Sequence, residues 1–122
     1  MDFKSEKPIY QQIVDYVCDH IACGRWLEEE RVPSVRDLAA QLQVNPNTAM
    51  RAYERLQMAG IITNSRGVGY FVSTGAKQRV IDLKRADFFE TTLPEVFATM
   101  DTLGITWEEV TAKYEKRGTY LY

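Results

Sequence analysis

The chain has 122 residues, of which 45% are hydrophobic, enough to build one ordinary domain or a small domain with an appendage. No segment approaches the roughly 18 apolar residues of a membrane span, and the start, MDFKSEKPIY, has no basic region followed by an apolar core; we therefore expect a cytoplasmic protein with no membrane partner. The net charge of −2 argues against a nucleic-acid partner, but residues 31–73 carry +3 and the rest of the chain −5.

The first predicted element is an amphipathic helix over residues 8–23, in which isoleucine and valine recur every four residues and a glycine follows as a stop. An acidic connector, LEEERV, comes next, and its last residues suit a short edge strand. Ser34, with Asp37 three residues later, has the pattern of a helix N-cap. A second helix is therefore expected to begin there.

A third helix is predicted over residues 46–59. Asn45 followed by Pro46 combines an N-cap side chain with the residue favoured at the first helical position, and Gly60 suits the left-handed cap beyond the end.

Two short strands are predicted at residues 61–64 and 70–72. The intervening SRGVG contains two glycines that permit the positive φ angles of a hairpin loop, so the sequence predicts a β-hairpin with an arginine near its tip.

The remainder of the chain is predicted to be helical, in several pieces. Pro94 marks a start or a kink, and Gly104 ends one piece. Thr106 and Glu109 have the spacing of a capping box that opens a last helix.

Two short helices joined by a tight turn, preceded by a helix and followed by a hairpin, form the layout of a winged helix-turn-helix. The predicted fold class is mainly α with a small β-hairpin wing. We assign residues 1–74 to a winged helix-turn-helix DNA-binding domain and residues 75–122 to a short helical dimerisation tail. In this layout the third helix of the chain enters the major groove. At about 100° per residue, its core side consists of Ala49, Ala52, Tyr53 and Leu56.

The outer side of the third helix carries polar residues suited to DNA. Arg51 is the best candidate for a bidentate contact to guanine, because its planar fork matches the O6 and N7 acceptors. Arg36 is expected to face the phosphate backbone, and Arg66 lies where the wing would follow the minor groove. A solvated helix face explains any single arginine better, but their joint placement favours DNA. The predicted DNA-binding residues are Arg36, Asn45, Asn47, Thr48, Arg51, Arg55, Arg66, Gly67 and Gly69.

The run over residues 32–72, VPSVRDLAAQLQVNPNTAMRAYERLQMAGIITNSRGVGYFV, resembles the DNA-binding domain of GntR-family regulators, and PIYQQIVDYVCDHIACGRW resembles that family's first helix. The short tail is similar to that of the YtrA subfamily, in which it serves dimerisation. The resemblance implies a transcriptional regulator, usually a repressor of its own operon, that binds a palindromic operator in double-stranded DNA as a homodimer. One departure is the run Glu28, Glu29, Glu30, where the family usually has Pro-Gly and an acidic residue.

The tail holds more large apolar side chains than two small helices can bury alone, which predicts an interface with a second subunit. Packing onto the first helix is the alternative. No set of residues identifies a pocket for a small-molecule effector. The predicted dimerisation residues are Phe88, Phe89, Leu93, Val96, Phe97, Met100, Leu103 and Trp107.

Catalysis and metal binding are disfavoured by the sequence. In a regular helix Cys18 and His20 point about 160° apart, so they cannot share a metal with Cys23. No Gly-x-Ser-x-Gly elbow and no Walker loop is present. We therefore predict no enzyme activity, no cofactor and no metal. A winged helix that binds another protein is the second hypothesis, because fold alone does not fix function.

Overall fold

The computed structural model describes residues 7–121, and the side chains through residue 118. Within this range the helices and the hairpin occur in the predicted order, and no helix is long and apolar enough to cross a bilayer. The elements are α1 (Ile9–Ala22), α2 (Val35–Leu42), α3 (Pro46–Met58), β1 (Ile62–Ser65), β2 (Gly69–Val72), α4 (Ala76–Asp87), a π-helical turn (Phe88–Thr92), α5 (Leu93–Leu103) and α6 (Trp107–Leu121).

Side-chain caps fix the beginnings of α2 and α3. The Ser34 hydroxyl accepts a hydrogen bond of 3.1 Å from the backbone N–H of Asp37. The Asn45 side-chain oxygen accepts one of 2.8 Å from the N–H of Asn47. Between the two helices, Gln43 adopts a left-handed conformation with φ +56°, which ends α2 and turns the chain directly into α3. Both predicted N-caps are confirmed.

The connector between α1 and α2 runs beside the hairpin, but in place of the predicted edge strand it forms only an isolated bridge, between Arg31 and Phe71. The N–H of Val32 donates to the carbonyl of Tyr70, and the N–H of Val72 donates to the carbonyl of Glu30, both at 2.9 Å. Just before these bonds, Glu29 has φ +67°. A left-handed conformation costs a residue with a Cβ roughly 1–2 kcal/mol, so the acidic run retains the turn at the expense of local strain.

Among the described residues, the buried side chains of α1, α2, α3, the hairpin and the first turns of α4 form one hydrophobic core. The Tyr53 hydroxyl crosses this core and donates a 2.6 Å hydrogen bond to the carbonyl of Pro33, while its ring packs edge-on against Tyr70, with centroids 5.0 Å apart. Burial raises the pKa of the Tyr53 phenol well above its usual range. The predicted core side of α3 is completely buried: Ala49, Ala52, Tyr53 and Leu56.

The chain divides into two units between Leu83 and Lys84. We call the described residues up to Leu83 the head and those from Lys84 the tail. The sequence predicts a domain boundary earlier, between residues 74 and 75, and that assignment stays a prediction. The head extends further because Ala76 and Val80 of α4 are buried in its core.

Local signals determine the helices of the tail. Gly104, with φ +66°, ends α5. The N–H of Glu109 donates to the Thr106 hydroxyl at 3.2 Å, and the N–H of Thr106 donates to the Glu109 carboxylate at 2.8 Å. Pro94 lies in the first turn of α5, after the π-helical turn. The predicted break, start and capping box are therefore confirmed, although none of the described tail side chains is buried.

Candidate nucleic-acid interface

Helix α3 presents a polar surface on the side opposite its buried face. Its exposed side chains include Asn47, Arg51 and Arg55, and Thr48 is half-buried at the flank. One side of the helix therefore packs on the core, and the other side exposes hydrogen-bond donors and cations to solvent, as a helix that binds in a DNA groove requires. The division of α3 into two sides matches the prediction, and the DNA-contacting roles of its residues stay predictions.

The N-termini of α2 and α3 add a second group of donors. Arg36 is exposed in the first turn of α2, and Asn47 is exposed in the first turn of α3. Backbone N–H groups without helical partners also point outward at helix starts, where they favour phosphate. Asn45 is exposed, but its oxygen is used as the cap, so its amide N–H groups are the part available to DNA.

The wing carries the third group. Arg66 follows β1 and is exposed at the turn of the hairpin. A 2.9 Å hydrogen bond, donated by the N–H of Val68 to the carbonyl of Ser65, closes this turn. Gly67 and Gly69 have φ angles of +78° and +141°, backbone conformations that residues with a Cβ rarely adopt. The prediction that both glycines adopt positive φ angles in the hairpin loop is confirmed.

Sequence reasoning gave no role to Arg31, which lies against the wing. A Cβ added to Gly69 would stand 3.0 Å from Nε of Arg31, so the bare glycine backbone makes room for this guanidinium. Arg31 also forms an isolated antiparallel bridge with Phe71. The edge-strand pattern of the connector was the available signal, because it places Arg31 beside the second strand.

Sequence reasoning also missed Tyr10 of α1. Its ring lies beneath two arginines of α3: Cζ of Arg51 is 4.0 Å from the ring centroid, and Cζ of Arg55 is 5.2 Å from it. Nη2 of Arg55 also donates a 3.1 Å hydrogen bond to the Tyr10 hydroxyl. The first helix therefore contributes to the polar surface of α3 as well as to the core.

The exposed arginines add positive charge to the connector, to α2, to α3 and to the wing. Among the described residues, none of the five is in an ion pair with a carboxylate, so their charges are available to neutralise phosphates. They are Arg31, Arg36, Arg51, Arg55 and Arg66.

The predicted dimerisation residues lie on the π-helical turn, on α5 and at the start of α6. The Phe88 and Phe89 rings pack edge to face with centroids 5.3 Å apart, as do Phe97 and Trp107 at 6.5 Å. These four remain exposed, as do Val96 and Leu103. Leu93 and Met100 are half-buried. Their role in dimerisation stays a prediction.

The histidine considered as a metal ligand belongs to an aromatic cluster. The His20 ring lies 4.2 Å from the Tyr16 ring and 5.1 Å from that of Trp26, between centroids, and its Nδ1 is 2.8 Å from the Tyr16 carbonyl. In the part of the chain that the structure describes, no three His, Cys, Asp or Glu residues are grouped to hold a metal.

Comparison with known proteins identifies close relatives of this arrangement. The model of the family described as bacterial regulatory proteins, gntR family, matches residues 9–72. The HTH-type transcriptional regulator YhcF of Bacillus subtilis is 35% identical over 108 residues, 88% of each chain. The HTH-type transcriptional repressor YtrA of the same species is 37% identical over 84 residues, covering 69% of this chain and 65% of YtrA. A crystal structure described as a GntR-family transcriptional regulator from Bacteroides thetaiotaomicron matches with a TM-score of 0.78 and 39% identity, covering 94% of this chain and all of the other.

Proposed function

Since the chain belongs to the GntR family of bacterial regulatory proteins and is a DNA-binding transcriptional regulator rather than an enzyme, we propose that it represses transcription as a homodimer on a palindromic operator. The observation that carries the proposal is the exposed, arginine-bearing side of α3, supported from behind by a fully buried face. Repression is proposed because the similar YtrA is a transcriptional repressor. A bound repressor acts by occupying its operator, which needs no catalytic group.

The head reads the operator. Helix α3 enters the major groove, where Arg51 donates to the O6 and N7 atoms of a guanine and Asn47 and Thr48 contact the adjacent base edge or phosphate. Arg36 at the start of α2 and Arg66 on the wing contact the sugar-phosphate backbone on either side. These contacts divide the head into base-reading and phosphate-binding groups.

The tail joins two heads. Its exposed aromatic side chains on the π-helical turn, α5 and α6 form a self-complementary surface that a second copy covers about a two-fold axis. A two-fold dimer presents two α3 helices to the same face of the duplex, about one helical turn apart or a multiple of it. A palindromic operator follows from that symmetry.

Selection from a pool of random duplexes tests this proposal. At low ionic strength we expect one palindromic sequence to be enriched, and its affinity to fall steeply as salt is raised because phosphate contacts release counterions. Enrichment of a single asymmetric half-site would contradict the homodimer. No enrichment of any sequence would contradict operator binding and favour a protein partner for the exposed face of α3.

A further inference from the structure

The ring of Tyr10 contacts two arginines of the proposed recognition helix, α3. Tyr10 is half-buried in the first turn of α1, which packs along α3, and its ring lies under Arg51 at 4.0 Å and Arg55 at 5.2 Å. Both arginines are exposed and lie four positions apart, on the same side of the helix. Two like charges at this spacing repel each other, and the negative face of the ring offsets that repulsion.

The two arginines engage Tyr10 differently. Arg55 donates an Nη2 hydrogen to the Tyr10 hydroxyl at 3.1 Å. Arg51 interacts with the ring through its charge, and among the described residues no side-chain hydrogen bond uses its N–H groups. The donors of Arg51 therefore stay available for guanine while the ring restricts where its guanidinium lies.

We propose that Tyr10 is a positioning residue for base recognition: the face of its ring holds the Arg51 guanidinium in place before DNA binds. The inference rests on the proposed DNA-reading role of α3. A long arginine side chain has much rotamer freedom, and ordering it in advance lowers the entropy lost on binding. A residue of the first helix thereby sets the strength of a base contact that it does not make.

The positioning role is tested in DNA binding with Tyr10→Leu, Arg51→Ala and the double variant, on the duplex selected by the unaltered chain. An exposed cation–π contact of the usual strength corresponds to about a two- to fivefold loss of affinity for Tyr10→Leu. We expect this loss to vanish in the Arg51→Ala background, and to fall on the base pair whose preference Arg51→Ala relaxes. Tyr10→Phe, which retains the ring, should keep that preference.

Tyr16→Leu is the matched control, because Tyr16 lies on the same helix with its ring against His20 and Trp26. It should leave base preference unchanged. A uniform loss across all sequences for Tyr10→Leu, or a loss that persists undiminished in the Arg51→Ala background, would overturn the proposal. So would loss of the preference in Tyr10→Phe.

A measurement without DNA separates this inference from the proposed function. In the free 122-residue chain the NMR signals of the Arg51 side chain should be shifted upfield by the Tyr10 ring, equally in Tyr10→Phe, and the shift should disappear in Tyr10→Leu. An unshifted Arg51 in the unaltered chain would overturn the positioning role. If no duplex is selected, the proposed function fails, and the ring-current shift still decides whether Tyr10 holds Arg51.

Discussion

The head and the tail bury very different shares of their apolar side chains. The buried hydrophobic residues of the described chain lie between Ile13 and Val80, whereas aromatic and aliphatic side chains of the tail stay exposed. Short helices are marginal in water without tertiary packing. The head therefore contains what it needs to fold, while the tail has formed helices whose apolar surface is uncovered, and this difference supports the proposed division between DNA reading and dimerisation.

The largest expected effect is on the free energy of unfolding when a leucine is replaced in the head or in the tail. The loss should depend on protein concentration only for the leucine of the tail. Leu56 of α3 is 0% exposed and Leu103 of α5 is 65% exposed. Leu56→Ala should lower the free energy of unfolding by about 2–5 kcal/mol, because a buried side chain is lost and a cavity remains. Leu103→Ala should cost less than about 0.5 kcal/mol in dilute solution, where subunits separate, and more as concentration rises. Urea titration at several protein concentrations measures both; a concentration-independent cost for Leu103→Ala would break the comparison.

The next effect tests the tail alone. Trp107 is 57% exposed at the start of α6, beside Phe97. If a second subunit covers it, Trp107→Ala should weaken the dimer by about 2 kcal/mol or more, roughly 30-fold in the dissociation constant, since buried tryptophans dominate interface energies. Sedimentation equilibrium measures the change. Met58→Ala, at an 89% exposed position in the head, is the control and should leave dimerisation unchanged; equal dimer affinity for both variants would contradict the interface.

A smaller effect is expected on the affinity for DNA, when one arginine is removed from the head or one from the tail. Arg51→Ala should cost about 1–3 kcal/mol on the selected duplex and relax the preference at one base pair. Arg85→Ala, which removes an arginine from the tail, should change neither. Titration of duplexes with single base-pair changes measures the preference. A loss for Arg51→Ala that is equal on every sequence would show a phosphate contact in place of base reading.

The smallest effect concerns the hydrogen bond that crosses the head core. Tyr53→Phe removes the 2.6 Å bond to Pro33 and should cost about 1 kcal/mol near pH 8. Because the folded pKa of Tyr53 is raised above its unfolded value of about 10, the unaltered chain should lose stability as pH rises beyond 10, by up to about 1.4 kcal/mol per unit. Urea titrations at pH 8 and pH 11 should show the advantage of the unaltered chain shrinking. An identical pH dependence for the two chains would contradict the buried phenol.

The elements that could be predicted from the sequence are those set by neighbours along the chain. Ser34 and Asn45 each cap a helix through an N–H two or three residues away. Thr106 and Glu109 cap α6 in the same local way. Such signals need no knowledge of the rest of the fold, so helix starts were identified correctly in the head and in the tail alike.

The contacts that sequence reasoning missed join distant positions. Tyr10 meets Arg51 and Arg55 only because α1 packs along α3, and Arg31 meets Gly69 only because the connector runs beside the wing. No spacing rule relates such residues. Their positions follow from the packing of elements that are distant along the chain, and the edge-strand pattern of the connector indicates only the second of these contacts.

The division between head and tail was also hard to place from composition. Helix α4 continues through it, so neither a glycine nor a proline marks the change, and the evidence is the burial of Ala76 and Val80 in the head core. The π-helical turn before Pro94 was likewise anticipated only as a start or a kink. Burial and register inside a continuous helix depend on what packs against it.

The stoichiometry of the complex with DNA tests the joint role of the two regions most directly. Sedimentation velocity of the full chain, alone and with the selected duplex, should show a dimer in solution and two chains on each duplex, with footprinted half-sites about one helical turn or a multiple of it apart. A monomer that binds the duplex one to one, with a single protected half-site, would contradict the account of a reading head joined to a dimerising tail.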